Sequence, residues 1–196
     1  TGGAEAGKTT ICENIAKLLH RKVAIICIND FYKVLTDKQL LEVEKNNYDF
    51  DHPNAFDFDL LYKCLKTLKD GGTCDVPVYD PVNHRRTTKV NTYHSADVLI
   101  VEGILLFEMQ NIRELFGLKI FVDTDADTRL IRRLRRDQSE RGHDINFVLD
   151  QYEKYVKPGF MDYIRPRKHY ADIIIPRGGH NHIAIALIAE HIKSRN

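Results

Sequence analysis

The chain has 196 residues, 43% of them apolar and 29% charged, with a formal net charge of +1 at pH 7. That balance fits one globular domain with a substantial core and excludes collagen-like, low-complexity and disordered classes. Near-neutrality argues against a global field for nucleic acid or a membrane surface, and no run of about 18 apolar residues is present to span a bilayer. Cys12, Cys27, Cys64 and Cys74 show no CxxC spacing, so neither a metal cluster nor a disulfide framework is expected. A reducing, cytoplasmic setting is the corresponding expectation.

The first residues carry the most specific signal. Gly2-Gly3-Ala4-Glu5-Ala6-Gly7-Lys8-Thr9 has the spacing G-x-x-x-x-G-K-[ST] of a phosphate-binding loop. Gly2 and Gly7 let successive backbone N–H groups turn inward, and a helix over Lys8–His20 points the positive end of its dipole at the phosphates. Lys8 then reaches the β- and γ-phosphates, Thr9 offers its hydroxyl to Mg²⁺, and Thr10 is a weaker phosphate contact. Glu5 is an acid inside a loop built for anions and is expected to point outward into solvent. Such a loop ordinarily follows a buried strand, so that strand is expected upstream of Thr1.

Further along, Val23–Ile28 reads as a buried strand, and Phe58–Lys69 as a helix with Phe58, Leu61, Leu65 and Leu68 on its core face. Cys74–Tyr79 and Lys89–Tyr93 flank a polar Asp80–Thr88 stretch and predict a β-hairpin excursion over about 73–93. Val98–Val101 is a strand that ends on Glu102, an acid at the sheet edge where open α/β folds bind ligands. Glu102 is therefore the second candidate for Mg²⁺, after Thr9. Ile120–Val122 and Ile173–Ile175 complete the predicted strands, and Asn146–Tyr155 and His182–Lys193 the outer helices. Strands alternating with helices predict one α/β domain, a P-loop NTPase-type parallel sheet with helices on both faces.

The helix over Asp125–Gln138 places Arg129, Arg132, Arg133 and Arg136 at i, i+3, i+4 and i+7, with Leu130, Ile131 and Leu134 opposite. Beside a phosphate loop this arginine face is a clamp for a transferring phosphoryl group, although an arginine face can also be merely solvated. Arg141 and His143 extend it into a polar Ser139–Asp144 loop, read as a lid over about 137–146 that closes over the triphosphate.

Taken together, these residues resemble the uridine–cytidine kinases, P-loop kinases of pyrimidine ribonucleosides. The similarity covers nearly the entire chain and includes Phe50-Asp51-His52-Pro53-Asn54-Ala55-Phe56-Asp57, Pro77-Val78-Tyr79-Asp80, Glu102-Gly103-Ile104-Leu105 and Phe121-Val122-Asp123-Thr124-Asp125-Ala126-Asp127-Thr128-Arg129. The resemblance implies that Asp51 and Arg133 hold the ribose hydroxyls and that Tyr79 and His84 recognise the pyrimidine, with Phe50 packing nearby. It also implies a substrate contact from Gln151 and phosphate contacts from Arg136 and Arg141. ATP and Mg²⁺ would be the donor and its metal, and a homo-oligomer the assembly.

Three departures from the family pattern bear on function. Asn29 stands where the family carries the aspartate that serves as base for the 5′-hydroxyl, and an amide takes up no proton. Asp30 is adjacent, but neighbours leaving a strand point to opposite sides, so it substitutes only if the backbone bends. His143 replaces an arginine near the base, and Pro81 an aromatic ring. Two functions are therefore expected from the sequence: a uridine or cytidine kinase, weakened at its base, or a silent nucleotide- or nucleoside-binding domain.

Overall fold

The fold was obtained as a computed structural model that describes residues 1–195. Helix α1 (Lys8–Leu19) leads into strand β1 (Val23–Cys27) and a short 3₁₀ turn (Ile28–Phe31). Helix α2 (Asp37–Glu44) was not foreseen, because it buries no residue and so carries no apolar stripe. It begins instead on a reciprocal capping box between Thr36 and Gln39. Helix α3 (Phe58–Lys69) is capped by the Asp57 carboxylate on the Leu60 N–H and buries Leu61, Cys64, Leu65 and Leu68.

The excursion comprises β2 (Thr73–Asp80) and β3 (Arg85–His94), paired antiparallel. Its strands run further than the apolar pattern predicts: most of the polar 80–88 stretch is ladder, and the turn holds four residues, 81–84. An exposed ribbon needs no alternation, and the Asp80 carboxylate closes the turn by accepting from the Val82 and Asn83 N–H groups.

Strands β1 and β4 (Val98–Glu102) pair in parallel, as do β5 (Ile120–Asp123) and β6 (Ile173–Pro176). Between β4 and β5 lies a cleft of about 520 Å³ with Thr1 at one end. Thr1 and Gly2 are hydrogen-bonded to β5 as a parallel strand, Thr1 N to Ile120 O at 2.8 Å and Val122 N to Thr1 O at 2.7 Å.

Apolar layers cover both faces of the strands. One cluster joins Ile26, Phe31, Leu61, Leu65 and Phe121; the other joins Ile11, Ile15 and Leu19 to Val122, Ile175, Ile185 and Ile188. Each such buried side chain contributes about 1.5–3 kcal/mol over leaving it exposed. The second cluster locks α1, and with it the loop, against α8 (His182–Ser194).

A short α4 (Gln110–Arg113) precedes β5, and α5 (Ala126–Arg141) follows it. The lid expected as a loop is largely helix: α5 reaches Arg141, Gly142 caps it at a left-handed φ of 66°, and α6 (Ile145–Gln151) starts after Asp144. Helical backbone then continues through a π-helical turn (Tyr152–Val156), α7 (Lys157–Gly159), a second π-helical turn (Phe160–Ile164) and a 3₁₀ segment (Arg165–Tyr170), well past the predicted end at Tyr155. Among the described residues no helix is long and apolar enough to cross a membrane, and all four cysteines are free.

Candidate active site

The loop's geometry explains its glycines. A Cβ on Gly2 would sit 2.4 Å from the Val122 carbonyl oxygen, so only glycine lets the chain pass β5. Gly7, at φ 89°, starts α1. Ala4, Glu5, Gly7, Lys8, Thr9 and Thr10 face a cavity of about 960 Å³. Gly2, Gly3 and Ala6 do not reach it: Ala6 is fully buried, its carbonyl accepting from the Thr124 hydroxyl, and Gly3 backs onto Arg129. Lys8 Nζ donates to the Gly3 carbonyl at 2.8 Å. Burial lowers its pKa, while Glu102 and Glu5 oppose the shift.

The β1–β4 register sets Cys27 opposite Glu102, so the acid emerges at the strand end beside the first turn of α1. Thr9 Oγ1 donates to Glu102 Oε1 at 2.8 Å, and Glu102 is only 6% exposed. A buried carboxylate and a hydroxyl are hard oxygen donors, and the pair fits Mg²⁺. Among the described residues no group of three His, Cys, Asp or Glu side chains could hold a metal.

The arginine face divides. Arg129 is 4% exposed, with Nε on the Thr124 carbonyl at 3.0 Å and its guanidinium 4.1 Å from the Phe160 ring centre. It braces the back of the loop and does not face the cavity, because it lies a turn deeper, where α5 meets the sheet. Ile131, expected on an apolar face, is 48% exposed; the buried residues of α5 are Arg129 and Asp137. Arg132, Arg133, Arg136 and Arg141 do line the cavity.

Asp137 is the residue sequence reasoning missed. At 2% exposure it pairs with Arg136 at 2.8 Å and with Arg133 and Arg141 at 3.4 Å each. Its main-chain oxygen also receives the His143 N–H at 3.0 Å. One buried carboxylate thus collects guanidinium groups from a helix and from its end, offsetting their mutual repulsion. The available signal was an acid four residues after Arg133 and four before Arg141. Glu5 corrects a second expectation: it turns inward and pairs with Arg136.

Asn29 and Asp30 both line the cavity. The 3₁₀ turn at Ile28–Phe31 replaces the strand alternation that was expected to separate them. Burial raises the Asp30 pKa, and a hydrogen bond from the Tyr79 main-chain N–H opposes it.

Opposite the loop, Phe50, Asp51, Tyr79, His84, Arg133, His143 and Gln151 share the same cavity. Tyr32 organises this wall: its ring stacks on Phe56 at 4.2 Å and tilts against Tyr79 at 4.9 Å, and its hydroxyl donates to the Phe50 carbonyl at 3.2 Å. His84 stacks on Phe50 at 4.7 Å from a left-handed φ of 49°. Its pKa is lowered by burial, then by Arg141 and His143, which keeps the ring neutral near pH 7. Asp51 is shifted upward by burial, against the pull of Arg133. The Tyr79 hydroxyl is buried with no protein partner. His180 and His182, unforeseen, close the cavity near the loop, where Gly179 N would lie 3.2 Å from a Cβ on Gly7.

A phosphate loop ahead of α1, an acid at the end of β4 and an arginine-lined cavity above the strand ends define a P-loop α/β kinase fold. The family model described as Phosphoribulokinase / Uridine kinase family matches residues 1–184, and the chain belongs to that family. A chloroplastic uridine/cytidine kinase of Arabidopsis thaliana is 49% identical over 197 residues, covering 100% of this chain and 40% of its own length. This chain therefore spans well under half of that relative. Uridine-cytidine kinase B of Dictyostelium discoideum is 49% identical over 196 residues, with 100% and 80% of the two chains covered. In fold, the chain is similar to phosphoribulokinase from Rhodobacter spheroides, with a TM-score of 0.71 at 16% identity over 90% of this chain and 68% of that one. A possible uridine kinase from Bacillus stearothermophilus gives 0.57 at 17% identity, over 89% and 84%.

Proposed function

We propose that the chain transfers the γ-phosphoryl group of ATP to the 5′-hydroxyl of uridine or cytidine, a step of pyrimidine salvage, with Mg²⁺ held by Thr9 and Glu102. The observation that carries this reading is the shared cavity. Phosphate-binding Lys8 and Arg136 line the same space as an acceptor wall whose Tyr79 hydroxyl is buried and unsatisfied, a state that a polar ligand atom relieves. Relatives named as uridine/cytidine kinases at 49% identity support the same acceptor and favour an enzyme over a silent binding domain.

In this reading Lys8 exchanges the Gly3 carbonyl for phosphate oxygens, and Arg136 and Arg141 stabilise charge spreading over the transferred group. Asp51 accepts from the ribose hydroxyls beside Arg133, His84 and Tyr79 contact the pyrimidine edge, and Gln151 adds a polar contact. As the 5′-oxygen bonds to phosphorus, the bond to the ADP oxygen breaks and the hydroxyl proton passes to Asp30. Asn29 orients that hydroxyl without taking its proton. Bound Mg²⁺ would supply neutralisation of the phosphate charge.

The test is ADP release from Mg–ATP with uridine, cytidine, adenosine or no acceptor. Release that depends on uridine or cytidine is the expected result. Binding of ATP and uridine without release would instead leave a nucleoside-binding domain, and release with adenosine alone would remove the pyrimidine assignment. Self-association, the remaining expectation from the resemblance, is tested by light scattering on the same sample.

A further inference from the structure

We propose that Glu5 is a specificity-determining residue of the phosphate-donor site: its carboxylate holds Arg136 whenever no γ-phosphate is present, so a triphosphate must displace it and a diphosphate need not, and Glu5 narrows the preference for the triphosphate. The inference rests on the assignment of Arg136 to the phosphates made above.

Glu5 is an acid within the phosphate loop, held at a left-handed φ of 61°. Its side chain is 21% exposed and faces the cavity, where Oε1 pairs with Arg136 Nη1. Its carbonyl accepts from Arg132 Nη1 at 3.1 Å, so the residue is tied to α5 at two points. Arg136 in turn has two distinct edges. Nε and Nη2 lie 2.9 and 2.8 Å from Asp137 Oδ1, a carboxylate with 2% exposure that cannot leave without stranding a buried charge. Nη1 is the edge that Glu5 takes.

This division makes Glu5 the exchangeable partner and Asp137 the fixed one. A γ-phosphate brings nearly twice the charge of a carboxylate and three acceptor oxygens, so it competes successfully for Nη1 while the Asp137 edge stays in place. After transfer, the diphosphate lacks that group. Glu5 then recovers Arg136, so the pair is intact both in the free chain and beside the diphosphate, and its loss weighs on the triphosphate alone. An acid in an anion loop thereby lowers triphosphate affinity relative to diphosphate affinity.

The experiment is calorimetric titration of the full chain and of Glu5→Gln with Mg–ADP and with a non-hydrolysable ATP analogue plus Mg²⁺. The variant should bind the analogue about three- to tenfold more tightly, the range of one partly buried ion pair, with a markedly smaller change for ADP. Glu5→Gly, which also suits the left-handed backbone, should reproduce the shift. Equal tightening of both ligands, or no change in analogue affinity in either variant, would overturn the inference while the wild-type chain still binds the analogue. A wild-type chain that fails to bind the analogue would overturn the donor assignment and the inference together.

Discussion

The two ends of the cavity are built differently. The phosphate end of the proposed reading comes mostly from a contiguous stretch, Gly2–Thr10, with one acid on β4 and arginines reaching in from α5, and its loop geometry follows from local backbone: left-handed Gly7, a helix start, a strand end. The acceptor end draws Phe50 and Asp51 from one loop, Tyr79 and His84 from a hairpin, Arg133 from α5 and Gln151 from α6. Tyr32, Asp137 and Gly159 hold those segments together, and of these only Asp137 carries a sequence signal, its i,i+4 spacing from Arg133 and Arg141. A site made of one segment tolerates change elsewhere in the fold, whereas one made of four depends on every contact that aligns them.

The largest expected effect lies at the phosphate end. Lys8→Met removes the only lysine facing the cavity among the described residues, and turnover should fall by about 10²–10³-fold, as for loss of a single preorganised charge partner. Nucleoside affinity, measured by calorimetry, should stay close to wild type. A large loss of nucleoside binding would show that the two ends are not separable.

Next comes the junction between them. Asp30→Asn should lower kcat by about 10²-fold or more and abolish the acid limb of its pH profile. Because burial raises the Asp30 pKa, that limb should lie above the ordinary carboxylate range, with activity falling as pH drops through it. If instead Asn29→Asp gives a comparable gain and Asp30→Asn does little, the bend has not transferred the role.

At the acceptor end, Asp51→Asn should raise the nucleoside KM by about 10- to 100-fold, the loss of charge-assisted hydrogen bonds, with little effect on ATP affinity. The same change should raise Tm at neutral pH. The folded-state pKa of Asp51 is raised, so the folded protein binds that proton more readily than the unfolded chain, and stability falls as pH rises through the shifted pKa. An uncharged side chain is free of that penalty.

The smallest effect tests alignment alone. Gly159 lies under the Asp51 loop, where an added Cβ would meet Asp51 Cβ at 3.2 Å and its carbonyl oxygen at 3.4 Å. Gly159→Ala should displace the loop slightly and raise the nucleoside KM severalfold, leaving the ATP KM unchanged. Equal changes in both would mean that the helical run through Gly159 supports the whole cavity.

Much of the architecture was legible from residue pattern. Strands expected at Val23–Ile28, Val98–Val101, Ile120–Val122 and Ile173–Ile175 form within a residue or so of those bounds, since buried β-branched runs have few alternatives. α2 escaped because capping, not burial, holds it. The helical run past Tyr155 was not predicted; it crosses Pro158 and Gly159, where proline near a helical start keeps its hydrogen-bond deficit harmless.

By itself, the sequence determined the phosphate loop, the acid that ends β4, the family and the alternation of strand and helix, because each depends on neighbours along the chain. Tertiary structure alone decided which carboxylates face the arginines, that Glu5 turns inward, that Arg129 turns away and that Asp137 joins three guanidinium groups. Those outcomes are set by charges brought within a few ångströms from distant segments, where desolvation and pairing outweigh any preference a residue carries locally.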